Sequence, residues 1–263
     1  MLPEPWRAVR RLLVVRLDNA GDVVLLSPAL RALRAALPDA AITLLASPAG
    51  SQVAPLLPWV DAVLTHRAVW QDLAAGPPDP QHVHALVDTL RRARFDAAVL
   101  FTSFSQSPYP PAMACYLAGI PLRLGQSALF GGGILSTCIQ PPPDVYHQAD
   151  RNLHLLAAAG FPIPDPHLAL HVPNAVQAAA DALLRRRGVD PAAPFILVAP
   201  GASCAARRYP PRRFAAALRL LAAQTPLPIV VTGSAREAAH VRAALPADPH
   251  GRFTSLLGDT SLP

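Results

Sequence analysis

The fold is decided by Arg11-Leu12-Leu13-Val14-Val15-Arg16-Leu17-Asp18-Asn19-Ala20-Gly21-Asp22 and by the Ser27-Pro28-Ala29-Leu30 that follows it. Residues 12–15 form a β-rich apolar run without alternation, as in a strand buried on both faces of a parallel sheet. A tight turn has to follow. Asn19 and Gly21 suit it, because Gly takes positive φ without steric cost and Asn tolerates that region better than most residues. Ser27-Pro28 reads as a helix start, with the hydroxyl capping free N–H groups and Pro in the first turn. Leu30, Leu33 and Leu37 then form the buried stripe. In an open α/β sheet the loop leaving the first strand faces the ligand crevice, so Asp22 is expected at its mouth. Taken alone, Asp18, Asn19 and Asp22 are also an ordinary set of turn residues. With a single Gly the stretch is not the G-x-G-x-x-G dinucleotide fingerprint.

The chain has 263 residues, 52% of them hydrophobic and 15% charged, which excludes a disordered protein and a long charged helix. Every one of its 23 basic side chains is Arg, a bias that reads as the imprint of a GC-rich genome rather than of a task. A net charge of +6 favours anionic partners such as nucleotide phosphates, phosphorylated glycans or an anionic membrane face. Nucleic acid is disfavoured, because the Arg residues are scattered and not interleaved with aromatics. Cys115, Cys138 and Cys204 lack C-x-x-C pairing, so reduced and mostly buried thiols are expected, with neither a disulfide framework nor a metal site. Arg16 ends the first apolar run well short of a signal peptide or membrane span. The expected location is cytoplasmic, with at most peripheral contact with the inner membrane face.

Downstream, residues 41–46 read as a second strand, 52–57 as a short helix and 60–64 as a third strand. A Pro-rich bend over 76–80 leads to a helix over 83–94 and a fourth strand over 96–101. This βαβα alternation implies a parallel sheet with right-handed crossovers. Thr102-Ser103-Phe104-Ser105-Gln106-Ser107-Pro108-Tyr109 again leaves a strand's carboxyl end, and its hydroxyls, amide and aromatics suit a sugar. The same Ser residues also suit a loop bonded to its own backbone. A helix over 112–118, a strand over 122–125 and Phe130-Gly131-Gly132-Gly133 come next, the Gly run reading either as a phosphate cradle or as a flexible lid. His147 opens a helix running to Gly160, with Leu153 and Leu156 facing inward. The Pro-rich stretch over 162–166 then sets a boundary in segment 168–174, giving domains 1–170 and 171–263.

The second domain begins with a helix over 175–187 closed by Gly188, followed by a buried strand over 195–199. That strand feeds Pro200-Gly201-Ala202-Ser203-Cys204-Ala205-Ala206-Arg207 and a helix starting near Arg212. Small residues let backbone approach a phosphate, Ser203 can donate to it, and Arg207 can pair with its charge; the loop also reads as a plain strand-to-helix connection. After a strand over 228–232, Glu237 stands where carboxylates commonly bind ribose hydroxyls, or where a first-turn acid complements a helix dipole. A third strand over 253–257 closes the pattern.

Three loops at three strand ends together resemble the glycosyltransferase family 9 proteins, the ADP-heptose:lipopolysaccharide heptosyltransferase family, over essentially the whole length. The residues that carry the resemblance are Arg16 through Asp22 with Ser27-Pro28-Ala29-Leu30-Arg31, His147 through Leu153, and Pro200-Gly201-Ala202-Ser203 with Arg207-Arg208-Tyr209-Pro210. It implies an α/β protein of GT-B type: an N-terminal Rossmann-like acceptor-side domain (1–170) and a Rossmann-like nucleotide-sugar donor domain (171–263), each with a parallel sheet. The implied reaction is metal-independent, cofactor-free inverting transfer of a heptose or related sugar. ADP-heptose is the implied donor, and a glycan or glycolipid such as lipopolysaccharide core the implied acceptor. Carried over by position, Asp22 becomes the general base on the acceptor hydroxyl, with Asn19, Gly21, Ser103, Ser105 and Gln106 on the acceptor side. Gly201, Ser203 and Arg207 fall against the donor diphosphate, and Glu237 on the ribose. The family usually has Lys where Arg207 stands. Residues 258–262 match the segment before the family's Asp-Ser/Thr-Gly-Pro-x-His motif, which does not appear, so the second domain is expected to be incomplete, a C-terminal truncation. A catalytically inactive nucleotide- or sugar-binding module is therefore the alternative expectation. A nicotinamide-dependent dehydrogenase is disfavoured because no G-x-G-x-x-G follows a strand.

Overall fold

A computed structural model of the chain describes residues 2–71, 77, 79–202, 204–247 and 251–261. It divides into two compact units, Met1–His171 and Val172–Pro263. The first unit opens with α1 (Glu4–Arg7), β1 (Arg11–Arg16), α2 (Ala20–Val24), α3 (Ser27–Ala36) and β2 (Ala41–Ala46). It continues through α4 (Pro48–Ser51), a 3₁₀ turn at Ala54–Leu56, β3 (Ala62–Thr65), α5 (Pro80–Ala93) and β4 (Ala97–Leu100). Then come α6 (Tyr109–Leu117), β5 (Leu122–Gln126), β6 (Thr137–Ile139) and α7 (Gln148–Ala158). Its six strands form one parallel sheet in the order β3-β2-β1-β4-β5-β6, the doubly wound arrangement.

The unbroken apolar run of β1 follows from this layering. Leu12 and Val14 point into a core with Leu30 and Leu33 of α3 and Leu155 and Leu156 of α7. Leu13 and Val15 point into the opposite core with Leu86 and Leu90 of α5 and Cys115 of α6. Both faces are covered, so alternation has nothing to select. Asp96 latches the central pair from below, its carboxylate accepting the N–H groups of Arg10 and Arg11, each at 2.8 Å.

Several local expectations change. Asn19 is extended at φ −74° and opens α2, so the turn after β1 is a helix start rather than a left-handed bend. A Cβ on Gly21 would meet nothing within 4 Å, and no close approach there demands glycine. Ser27 does not cap α3; its buried hydroxyl accepts the N–H of Ala169 at 3.1 Å. The helix expected over 52–57 lies earlier, because Ser47 caps it by accepting from Gly50 N–H and Pro48 occupies its first position. Strand β6 had no counterpart in the sequence reading. The Gly run before it serves close packing: a Cβ on Gly131 would lie 1.8 Å from the Tyr109 ring, and Gly133 offers its carbonyl to Arg123.

The second unit contains α8 (Asn174–Arg186), β7 (Ile196–Val198), a 3₁₀ turn at Ala205–Arg207, α9 (Pro211–Gln224) and β8 (Ile229–Val231). A further 3₁₀ turn at Ala235–Glu237, α10 (Ala238–Ala244) and β9 (Phe253–Ser255) follow. Its parallel sheet runs β7-β8-β9. Gly188 ends α8 at φ 76°, as a left-handed cap requires. Only β8 is buried throughout; β7 is an edge strand with Leu197 62% exposed, not the buried strand its composition suggests. The thiols also differ from expectation. Cys115 is buried and its pKa is pushed up to about 12 by desolvation, whereas Cys138 and Cys204 are exposed.

Candidate functional site

In the first unit successive strands are added outward from β1 to β3 on one side and from β4 to β6 on the other, and the crevice of a doubly wound sheet opens beyond the carboxyl ends of the parallel pair β1 and β4, where that order reverses. Arg16 is the last residue of β1 and its side chain is fully buried there. A guanidinium in that position needs anions and acceptors close by. Its Nε lies 2.9 Å from Asp18 Oδ2, and its Nη2 lies 3.2 Å from Asp22 Oδ1. The same Nη2 donates to Ser103 Oγ at 2.8 Å, from the loop after β4. Burial lowers the Arg16 pKa from its ordinary value, while Asp18 and Asp22 oppose that shift.

The two carboxylates are held differently. Asp18 has a nearly buried side chain, and its Oδ1 accepts from Gln71 Nε2 at 2.6 Å and Gln106 Nε2 at 2.7 Å. Asp22 keeps 27% of its side chain exposed. Its Oδ2 accepts the Asn19 N–H at 3.2 Å across the first turn of α2, and its Oδ1 accepts from Ser103 Oγ at 3.4 Å. Gln106 Oε1 in turn accepts the Ser103 N–H at 2.9 Å, locking the β4 loop to both acids. The outcome is a carboxylate oriented by three fixed donors yet open to solvent, the arrangement a proton acceptor needs.

Of the residues expected here, Asp22, Asn19, Ser103 and Gln106 come together. Ser105 sits on the same loop in the left-handed region, at φ 63°. Gly21 contributes only backbone to α2. Arg16, Asp18 and Gln71 were not singled out as site residues. An Arg closing a buried strand, with two Asp in the next six residues, was a signal for the first two.

In the second unit Gly201 and Glu237 meet. A Cβ on Gly201 would lie 2.0 Å from Glu237 Oε1, so a larger residue there would displace the Glu237 carboxylate. Glu237 Oε2 accepts from Ser234 N–H at 3.0 Å and Ser234 Oγ at 2.7 Å. Those bonds hold its carboxyl below the usual range, with Arg208 and His240 assisting. Arg207 is exposed, and its Nε donates to Cys204 Sγ at 3.3 Å, which lowers the thiol pKa. The neighbouring Arg208 bonds the loop itself, at Ala202 O, 3.0 Å. Ser203 lies outside the described residues. Among the described residues, no group of three or more His, Cys, Asp or Glu is placed to hold a metal ion, and no helix is long and apolar enough to cross a membrane.

Two α/β units, each built on its own parallel sheet, are the components of a GT-B architecture. The model of glycosyltransferase family 9 (heptosyltransferase) matches residues 83–263, and the chain belongs to that family. The solved structure of a glycosyl transferase family 9 protein from Veillonella parvula DSM 2008 aligns with a TM-score of 0.74 at 18% identity, over 95% of this chain and 70% of that one. E. coli ADP-heptose lps heptosyltransferase II aligns at 0.68 and 21% identity, over 96% of this chain and 74% of that one. E. coli heptosyltransferase WaaC with ADP aligns at 0.65 and 15% identity, over 94% and 74%. At these identities the likeness is one of fold. No curated protein sequence matches the chain.

Proposed function

We propose that this glycosyltransferase moves a heptose or related sugar from an ADP-sugar to a hydroxyl of a glycan or glycolipid, such as a lipopolysaccharide core, with inversion. The observation that carries the reading is the Asp22 carboxylate at the β1–β4 switch point, partly open and aimed by Arg16, Ser103 and the Asn19 N–H. Inversion needs one base on the face opposite the leaving group. Asp22 takes the acceptor hydroxyl proton as that oxygen bonds to the anomeric carbon and the bond to ADP breaks. Asn19 and Gly21 shape the turn that presents it, and Ser103, Ser105 and Gln106 line the acceptor side. Gly201, Ser203 and Arg207 meet the diphosphate, where Arg207 offsets the charge that develops on departing ADP. Glu237 binds the ribose. The net charge of +6 supports work at the anionic inner face of a membrane, where a glycolipid acceptor is presented.

The test is transfer from ADP-heptose to a lipopolysaccharide-core acceptor by the protein and by Asp22→Asn. The substitution keeps the shape and removes the base, so kcat should fall by about 10²–10⁴ while ADP affinity stays within a factor of two. An Asp22→Asn enzyme with normal kcat overturns the assignment.

A further inference from the structure

A cavity of about 260 Å³ opens at the carboxyl ends of β1 and β4, beside the Asp18 carboxylate. Val15 and Phe101, the last buried apolar residues along these strands, floor it, and Leu17, Trp70 and Pro110 add apolar wall. Its polar rim comes from Gln71, Thr102, Ser105, Gln106 and Ser107, and among the described residues no charged side chain lines it. The two amides are not free to rotate, because both give an N–H to Asp18.

We infer that this cavity is a subsite for one uncharged sugar ring of the acceptor, and that it discriminates against carboxylated or phosphorylated rings. The inference rests on the transferase reading above and names the acceptor chemistry of that site. Three observations carry it. First, the volume is below the roughly 300–1,000 Å³ of sites for larger ligands, which leaves room for a single ring and not for a nucleotide. Second, an indole and prolines beside fixed amides and hydroxyls match a ring with apolar faces and hydroxyl edges. Third, none of the described residues that line the cavity offers an anion a cation. Arg16 is fully buried and already paired with Asp18 and Asp22, and the net effect of Asp18 on an incoming negative charge is repulsive where Arg16 does not screen it. Position ties the cavity to the reaction. The loop that forms its wall carries Ser103, whose hydroxyl bonds Asp22 while its N–H bonds Gln106. The cavity is thus joined to the proposed base through Gln106 and Ser103, on the acceptor side of the proposed reaction.

The experiment is saturation-transfer NMR on the whole chain with methyl glycosides of glucose, galactose, mannose and N-acetylglucosamine, set against methyl glucuronide and glucose 6-phosphate. At least one neutral glycoside should receive saturation, with an effect at least fivefold above both charged rings. Trp70→Ala should abolish that signal. Gln71→Leu, which keeps the apolar wall, should reduce it severalfold in a protein whose thermal unfolding shows that it is folded. Equal or stronger saturation of the charged rings, absence of any neutral-ring signal, or signals unchanged in both variants overturns the subsite. Asp22→Asn separates this from the catalytic reading: it should retain neutral-ring binding. If that variant still transfers sugar, the general base is wrong while the binding result stands on its own.

Discussion

Replacing Arg16 with Met tests whether the buried guanidinium organises the switch point. Met fills the apolar part of the space but leaves Asp18, whose side chain is only 6% exposed, without its cation. Removing one member of a buried ion pair costs about 3–5 kcal/mol, because the remaining charge is stranded. For a unit of this size each kcal/mol moves the midpoint by about 2–4 °C, so the first unit should melt roughly 6–20 °C lower. The assay isolates that unit, since all three Trp residues (Trp6, Trp59 and Trp70) lie within Met1–His171, and tryptophan fluorescence therefore follows it alone. Asp18→Asn in the same background removes the stranded charge while keeping an oxygen for Gln71 and Gln106. The double variant should regain about 1–3 kcal/mol relative to the sum of the single changes. A loss under about 1 kcal/mol for Arg16→Met, or strict additivity in the double variant, refutes the reasoning.

Gly201→Ala places a methyl 2.0 Å from Glu237 Oε1, so Glu237 must swing away; ADP affinity measured by calorimetry should drop about tenfold, with little change in melting. Cys204, whose thiol pKa is lowered chiefly by Arg207, should be alkylated by iodoacetamide at pH 7 several times faster than in Arg207→Gln, while Cys115, with a pKa near 12 and no exposure, stays unmodified by mass spectrometry. Glu237 has a folded pKa below its unfolded value, so its contribution is present above the unfolded pKa and is lost as pH falls through the folded one. Ser234→Ala removes the main cause, and the acid-induced unfolding of the second unit, followed by far-UV circular dichroism below pH 5, should become shallower.

The central strands were legible because their physics is local. Residues 41–46 are β2 to the residue, and the apolar run of β1 announced that both faces were covered. Helix α2 was missed because its start depends on Asp22 reaching back to Asn19, a bond of one short turn that turn-forming residues also allow. Strand β6 was missed because three half-exposed residues carry no periodicity; it exists only by pairing with β5. At the site, Asp22, Ser103 and Gln106 could be read because each follows a strand's carboxyl end. Arg16 was passed over although it closes a buried strand with two Asp close behind, because in a chain whose 23 Lys and Arg are all Arg a single one carries little weight and its partner Ser103 is 87 residues away. Gln71 was invisible for the same reason, being joined to Asp18 across 53 residues.

The bond from Arg16 to Ser103 crosses the seam between β1 and β4, which divides the six strands into two groups of three. Each group is contiguous in the chain, so either half can form early from nearby pairings, whereas joining the halves closes a loop of about eighty residues. Neither half carries the site by itself. The acidic residues come from one and the bracing serine and glutamine from the other, so the site exists only once the two are joined. Because that pairing spans a longer stretch of chain than any other in this sheet, the site is the part of the unit that local structure alone cannot assemble.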